Sequence, residues 1–236
     1  MDLLSTQIPA TWLVATWVAA AALLVLIALR AFWPLFADPQ DRTVFLGACI
    51  TVFLLWRIRA GVLPGLSLHL LGATALTLMF RPLLALLATA VVAAGAALAT
   101  RQHAAFALNW LIMGAFPVMV SWITHRAVTR WLPANPFVYF FLNAFANAAF
   151  SMLAVGALAS LVVLALGLYP AAYLVNEYLP FYLLMAWGEA FLTGALVTLM
   201  VVWKPEWIAT FNDARYLARR PITPERSSTE PADRAP

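Results

Sequence analysis

The chain is organised as apolar runs separated by charged residues, prolines and glycines. These runs predict helices over Thr11–Trp33, Thr43–Trp56, Leu68–Phe80, Pro82–Thr100, Ala104–Thr124, Pro136–Leu168 and Leu179–Trp203. A helix needs about 20 residues to cross a bilayer, so the second and third runs are short. Pro136–Leu168 is long, and is expected to tilt steeply or to break near Gly156. Pro34, Pro82, Pro136 and Pro205 mark expected helix ends. Lipid offers the backbone no hydrogen bonds, so short or interrupted helices are expected to pack inside protein. The expected fold class is therefore all-α, an integral membrane helical bundle of about seven transmembrane helices over residues 1–211. Residues 212–236 are expected to form a cytoplasmic tail. From about Arg219 that tail is rich in Pro, Ser and charge, and has too little apolar surface to offset its ordering entropy.

Composition leads to the same place. Hydrophobic residues make up 64% of the 236 and charged residues 10%, against about 45–50% and 25% in soluble domains. The formal charge of +4 comes from basic residues scattered singly. That is a topology signal, and no nucleic-acid partner is expected. Cys49 is the one cysteine, which excludes an internal disulfide and a CxxC metal site. The opening MDLLSTQIPATW lacks a basic n-region and is expected to belong to the mature protein.

Seven crossings put the termini on opposite sides. With the amino terminus outside, the inner segments hold Arg30, Arg42, Arg81, Arg126, Arg130, Lys204, Arg215, Arg219, Arg220, Arg226 and Arg234. The outer ones hold Arg57, Arg59 and Arg101. The positive-inside rule favours that orientation. Alanine-rich stretches around Ala15–Ala19 and Ala90–Ala99 are suited either to close helix packing or to a partner membrane protein.

This orientation gathers Met1 with its terminal amine, Asp2, Gln7, His69 and His103 at the outer face. Neutral imidazole is a common ligand of transition metals. His69 has two readings: a ligand, or an interfacial histidine that only hydrogen-bonds a backbone carbonyl. His103 reads as a plain loop residue and His125 as a solvated residue on the inner side. Glu189 is mid-span, where a carboxyl is costly unless paired or protonated. Thr193 follows one turn later on the same face, and Gly194 permits close approach. Asn143, Asn147 and Ser151 draw a polar stripe along one helix, and Asn109 adds another buried amide. These polar groups are expected either to line a substrate pocket or to hold helices together. There is no GxSxG, HExxH or P-loop pattern, so no enzyme activity is expected and the chain cannot hydrolyse ATP in the P-loop manner.

Three stretches resemble the CbiM/NikM family. The last helix carries Glu189-Ala190, Thr193-Gly194 and Lys204-Pro205-Glu206. The stretch LSLHLLGATALTLMFRP is similar to the family's His-Leu-x-Gly helix followed by proline, matching His69, Leu70, Gly72 and Pro82. The segment LPANPFVYFFLNAFANAAF looks like that of a subgroup of energy-coupling factor permeases. The resemblance spans most of Thr6–Phe211. It implies a substrate-capturing membrane subunit of an energy-coupling factor type ABC transporter, in a bacterial inner (plasma) membrane. Ni²⁺ or Co²⁺ would be its substrate and no cofactor would be tightly bound. A transmembrane coupling subunit and ABC ATPases would be its partners.

In the metal-binding members the chain opens Met-His-Ile-Pro, and a flat four-nitrogen site joins that start to the His-Leu-x-Gly histidine. This chain opens Met-Asp-Leu, and its counterpart of His-Ile-Pro is Gln7-Ile8-Pro9. Only His69 remains of the four-nitrogen set, with Asp2 or Gln7 as substitutes. Two further readings stand beside this one. The first is a membrane scaffold or assembly protein of the same fold that has lost transport. The second is an intramembrane hydrolase using Glu189 and His69, which the expected difference in their depths disfavours.

Overall fold

The computed structural model describes residues 3–31, 33–63 and 66–216. Its long helices are α1 (Ala10–Arg30), α2 (Pro39–Arg57), α3 (Ala73–Thr100), α4 (His103–Trp131), α5 (Pro136–Ala165) and α6 (Ala171–Trp203). Five of them, all but α2, are long and apolar enough to cross a membrane. The chain is a multi-pass membrane protein. A short antiparallel hairpin, β1 (Ala60–Leu63) and β2 (Leu66–Leu68), pairs Ala60 with Leu68 and leads directly to His69. The apolar runs gave no sign of these strands.

Several boundaries differ from expectation for local reasons. α2 begins four residues earlier than its apolar run, because Asp38 caps it by accepting from the Gln40 amide (2.7 Å) and Pro39 occupies the first turn. At 19 residues it is not short. The Leu68–Phe80 run does not begin as helix: residues 66–68 are strand, and the helix starts at Ala73. α5 does not break at Gly156. That glycine instead admits the ring of Tyr182 on α6, which a Cβ would overlap. The irregularity sits earlier, in a π turn over Tyr139–Ala146. α6 begins at Ala171, through another π turn over Leu174–Tyr178. Gly194 faces Phe145 of α5, as its small size suggested.

α3 is two helices joined at a sharp kink. Arg81 adopts φ 61°, ψ 172°, a conformation that costs an L-residue on the order of 1–3 kcal/mol. Pro82 follows, and its ring excludes helical geometry from the residue before it. The first half, Ala73–Phe80, is almost wholly buried, as an interrupted helix in a membrane protein has to be. Counted as halves, the long helical segments number seven among the described residues.

α1 lies at the edge of the bundle, with only Ala20 and Ile27 of its residues buried. Ala15 and Ala19 are exposed, and within their stretch Trp17 meets α4, its ring centroid 5.6 Å from that of Phe106 and its indole N–H donating to the Ala104 carbonyl (3.0 Å). The sequence expects a tail from residue 212, but ordered structure continues as far as a short helix, α7 (Asp213–Tyr216), with Tyr216 buried. The rest of the expected tail, 217–236, lies outside the described residues.

Candidate functional site

The loop between β2 and α3, His69-Leu70-Leu71-Gly72, is irregular backbone inside the bundle. His69 is 3% exposed. Its Nδ1 lies 3.0 Å from the Leu70 carbonyl oxygen. A carbonyl can only accept, so Nδ1 carries the proton in this contact. The imidazole packs against Trp56 of α2, centroids 4.8 Å apart. Trp56 also donates its indole N–H to the Leu71 carbonyl at 3.0 Å. Gly72 ends the loop at φ 65°, ψ 2°, left-handed backbone that glycine adopts without steric cost.

Glu189 holds the other side of this loop. Its Oε2 accepts from the Leu71 amide and its Oε1 from the Gly72 amide, both at 2.7 Å. These amides precede the helix and would otherwise be buried donors without partners, at about 1–3 kcal/mol each. The carboxyl is 1% exposed. Glu189 and the His69 loop therefore meet, although their expected depths set them apart. A carboxyl whose two oxygens are both engaged by backbone amides is a clamp, and that arrangement does not suit it to act as a base in hydrolysis.

The amino-terminal segment folds into the same end of the bundle. Leu3 is 1% exposed, and its amide and carbonyl both pair with the Asn109 side chain on α4 at 3.1 Å. Gln102 accepts from the Ser5 amide (2.9 Å) and hydroxyl (3.1 Å). The Gln7 side chain accepts from the Leu4 amide at 3.1 Å, folding the segment on itself. A cavity of about 90 Å³ lies beneath, walled by Leu3, Trp56, Arg59, Thr100, Gln102 and Asn109 among others. His69 is not in the wall; it packs on Trp56, which is. Met1 and Asp2 lie outside the described residues.

The other residues singled out from sequence divide sharply. His103 is exposed, beside Trp17 and Phe106 in a separate surface hollow, and does not join His69. Asn143, Asn147 and Ser151 face α4 and not the cavity. Asn147 donates to the Ser121 carbonyl (3.0 Å), Ser151 to the Pro117 carbonyl (3.2 Å), and the Ser121 hydroxyl meets Thr74 at 2.6 Å. Asn143 pairs with His125 at 3.0 Å. His125, expected to be solvated, is 7% exposed and packed between Trp122 and Tyr139. Thr193 is buried, and its hydroxyl finds no partner among the described residues. Trp56 and Gln102 are the contributors that the sequence did not single out. Gln102 stood beside His103 in Arg-Gln-His, while Trp56 carried no signal beyond its place at a helix end. Among the described residues no three His, Cys, Asp or Glu side chains come together as a metal-ligand group.

Residues 5–207 match the family described as cobalt uptake substrate-specific transmembrane region, CbiM. The chain belongs to this family. Two solved structures share its fold. One, described as a transition metal transporter, has a TM-score of 0.67 at 16% identity, covering 85% of this chain and 92% of its own. A truncated transition metal transporter has a TM-score of 0.65 at 14% identity, covering 86% and 99%. A comparison with functionally curated proteins gave no significant match. The family is a transporter component and not a class of enzymes.

Proposed function

We propose that this CbiM-family chain is the substrate-capturing transmembrane subunit of an energy-coupling factor type ABC transporter, taking up a divalent transition metal, Co²⁺ or Ni²⁺. The reading rests on the buried His69 loop. It holds an imidazole by its Nδ1 against Trp56, which walls the cavity together with Leu3 of the amino-terminal segment anchored by Asn109 and Gln102. Nδ1–H donation to a carbonyl is the arrangement that orients a metal-binding histidine. In the chain Met1 and Asp2 precede Leu3, which walls the cavity. Together with His69 they are the proposed metal donors; Gln7 has its carbonyl committed to Leu4. The amino terminus is proposed to face outside and the carboxyl terminus the cytoplasm of a bacterial inner membrane. The exposed apolar face of α1 suits a membrane partner such as a coupling subunit, with ABC ATPases supplying the drive.

The test is elemental analysis of full-length protein purified in detergent and dialysed separately against Co²⁺, Ni²⁺, Zn²⁺ and Cu²⁺. The expected result is about one equivalent of Co²⁺ or Ni²⁺, lost in His69→Ala. No retained metal in the wild type would overturn the metal reading. A stable complex with a non-ATPase partner would then indicate the scaffold role.

A further inference from the structure

The half-helix Ala73–Phe80 carries the His69 loop at its head, and the same stretch of chain holds both of its ends. At the head, Glu189 of α6 binds the Leu71 and Gly72 amides. At the foot, the segment just after α6 returns to the kink. The Ala209 amide donates to the Met79 carbonyl (3.0 Å) and the Thr210 amide to the Leu78 carbonyl (3.2 Å). The Thr210 hydroxyl also donates to Leu78 (2.8 Å). These are two of the last four carbonyls of a helix, which have no partner within it. Arg81, in its strained conformation, reaches the Ala209 carbonyl at 3.4 Å.

The returning segment is itself seated firmly. Tyr139 in the π turn of α5 places its hydroxyl 2.7 Å from the Thr210 hydroxyl. Because Thr210 donates to Leu78, it accepts from Tyr139. The Tyr139 ring also meets Phe211 and Tyr216, each at 5.0 Å. Arg215 donates to the Thr129 carbonyl of α4 at 2.7 Å and is not tied to α3.

We infer that Ala209–Thr210 is a positioning strap for the substrate loop: by capping the foot of the half-helix Ala73–Phe80, it sets where His69 sits at the head. A helix of eight residues is about 12 Å long and has no internal weak point. A strained residue persists only where its surroundings fix it, so releasing the foot lets Arg81 relax and the half-helix shift as a unit. The head would then leave the Glu189 clamp. Capture at one end of the bundle thus depends on a segment at the other. That the captured substrate is a metal ion rests on the function proposed above; the mechanical link does not.

The experiment is hydrogen–deuterium exchange of the full-length protein without metal, comparing wild type, Thr210→Val, Tyr139→Phe and Arg215→Gln. Thr210→Val removes both hydroxyl bonds at the foot, and is expected to speed exchange of the Leu71 and Gly72 amides about tenfold. The α5–α6 contact around Gly156 keeps its wild-type protection. Tyr139→Phe, which deletes one hydroxyl only, gives a smaller change at the same amides and covers the case in which Thr210→Val does not fold. Arg215→Gln leaves these amides unchanged. Unaltered Leu71 and Gly72 exchange in both foot variants, or acceleration spread evenly over the bundle, overturns the inference. A parallel Co²⁺ titration separates the two claims. Weaker Co²⁺ binding in Thr210→Val supports both, whereas a wild type that binds no Co²⁺ while the exchange pattern holds removes the metal and keeps the strap.

Discussion

Glu189 and Asn147 look alike in sequence, each a polar residue in the middle of a long apolar helix, yet they do different work. Glu189 spends both carboxyl oxygens on amides of a loop that is not helical. Asn147 donates once to the Ser121 carbonyl of a neighbouring helix, and its own oxygen finds no partner among the described residues. The first interaction is the reason that irregular backbone can exist inside the bundle at all. The second adds to helix packing, in which polar pairs in membranes average only about 0.6 kcal/mol. A buried polar group near the proposed substrate site is thus recognised by what it satisfies, loop backbone or another helix, and not by its burial.

The largest effect is expected at the clamp. Glu189→Ala strands two buried amides, and should cost about 3 kcal/mol or more in stability, read as a fall in melting temperature in detergent. Glu189→Gln keeps one acceptor but turns an amide N–H₂ toward a backbone N–H, so it should lose about half as much. Wild-type melting in Glu189→Gln would mean that one oxygen suffices. Asn109→Ala comes next. It removes both bonds to Leu3 at a partly buried position, an expected loss of about 1–2 kcal/mol. Faster proteolysis of the amino-terminal segment would report it, and unchanged protection would show that Gln102 alone holds that segment. Arg81→Gly should be within about 1 kcal/mol of wild type, since glycine adopts the kink without strain. Arg81→Ala keeps the strain without the side chain's bond to Ala209, and should melt lower than Arg81→Gly. The smallest effect is expected for Asn147→Leu, within about 1 kcal/mol either way.

The same contrast explains what could be read in advance. The helical bundle was legible because apolar runs in a membrane protein are dictated by the bilayer. The break at Arg81-Pro82 was legible because proline forbids helix at the preceding residue. His69 and Gly72 were visible through His-Leu-x-Gly, and Glu189 through its place in the middle of an apolar run. The partner of Glu189 was hidden, since Leu71 is 118 positions away and contributes only its backbone. His125 was misplaced because its burial comes in part from Tyr139 and Asn143, brought to it from α5 by tertiary packing. Ser5 and Leu3 gave no hint that Gln102 and Asn109 would anchor them, as all but the Ser5 hydroxyl bond use the backbone of the segment.

One measurement bears on the central claim that loop-holding polar groups make the capture site and helix-joining ones do not. It is the Co²⁺ affinity of full-length wild type, Glu189→Gln and Asn147→Leu, determined side by side by equilibrium dialysis. The expected outcome is binding weakened at least about tenfold in Glu189→Gln, corresponding to about 1.4 kcal/mol, with Asn147→Leu within about twofold of wild type. Equal weakening in both variants, or none in Glu189→Gln, would contradict it.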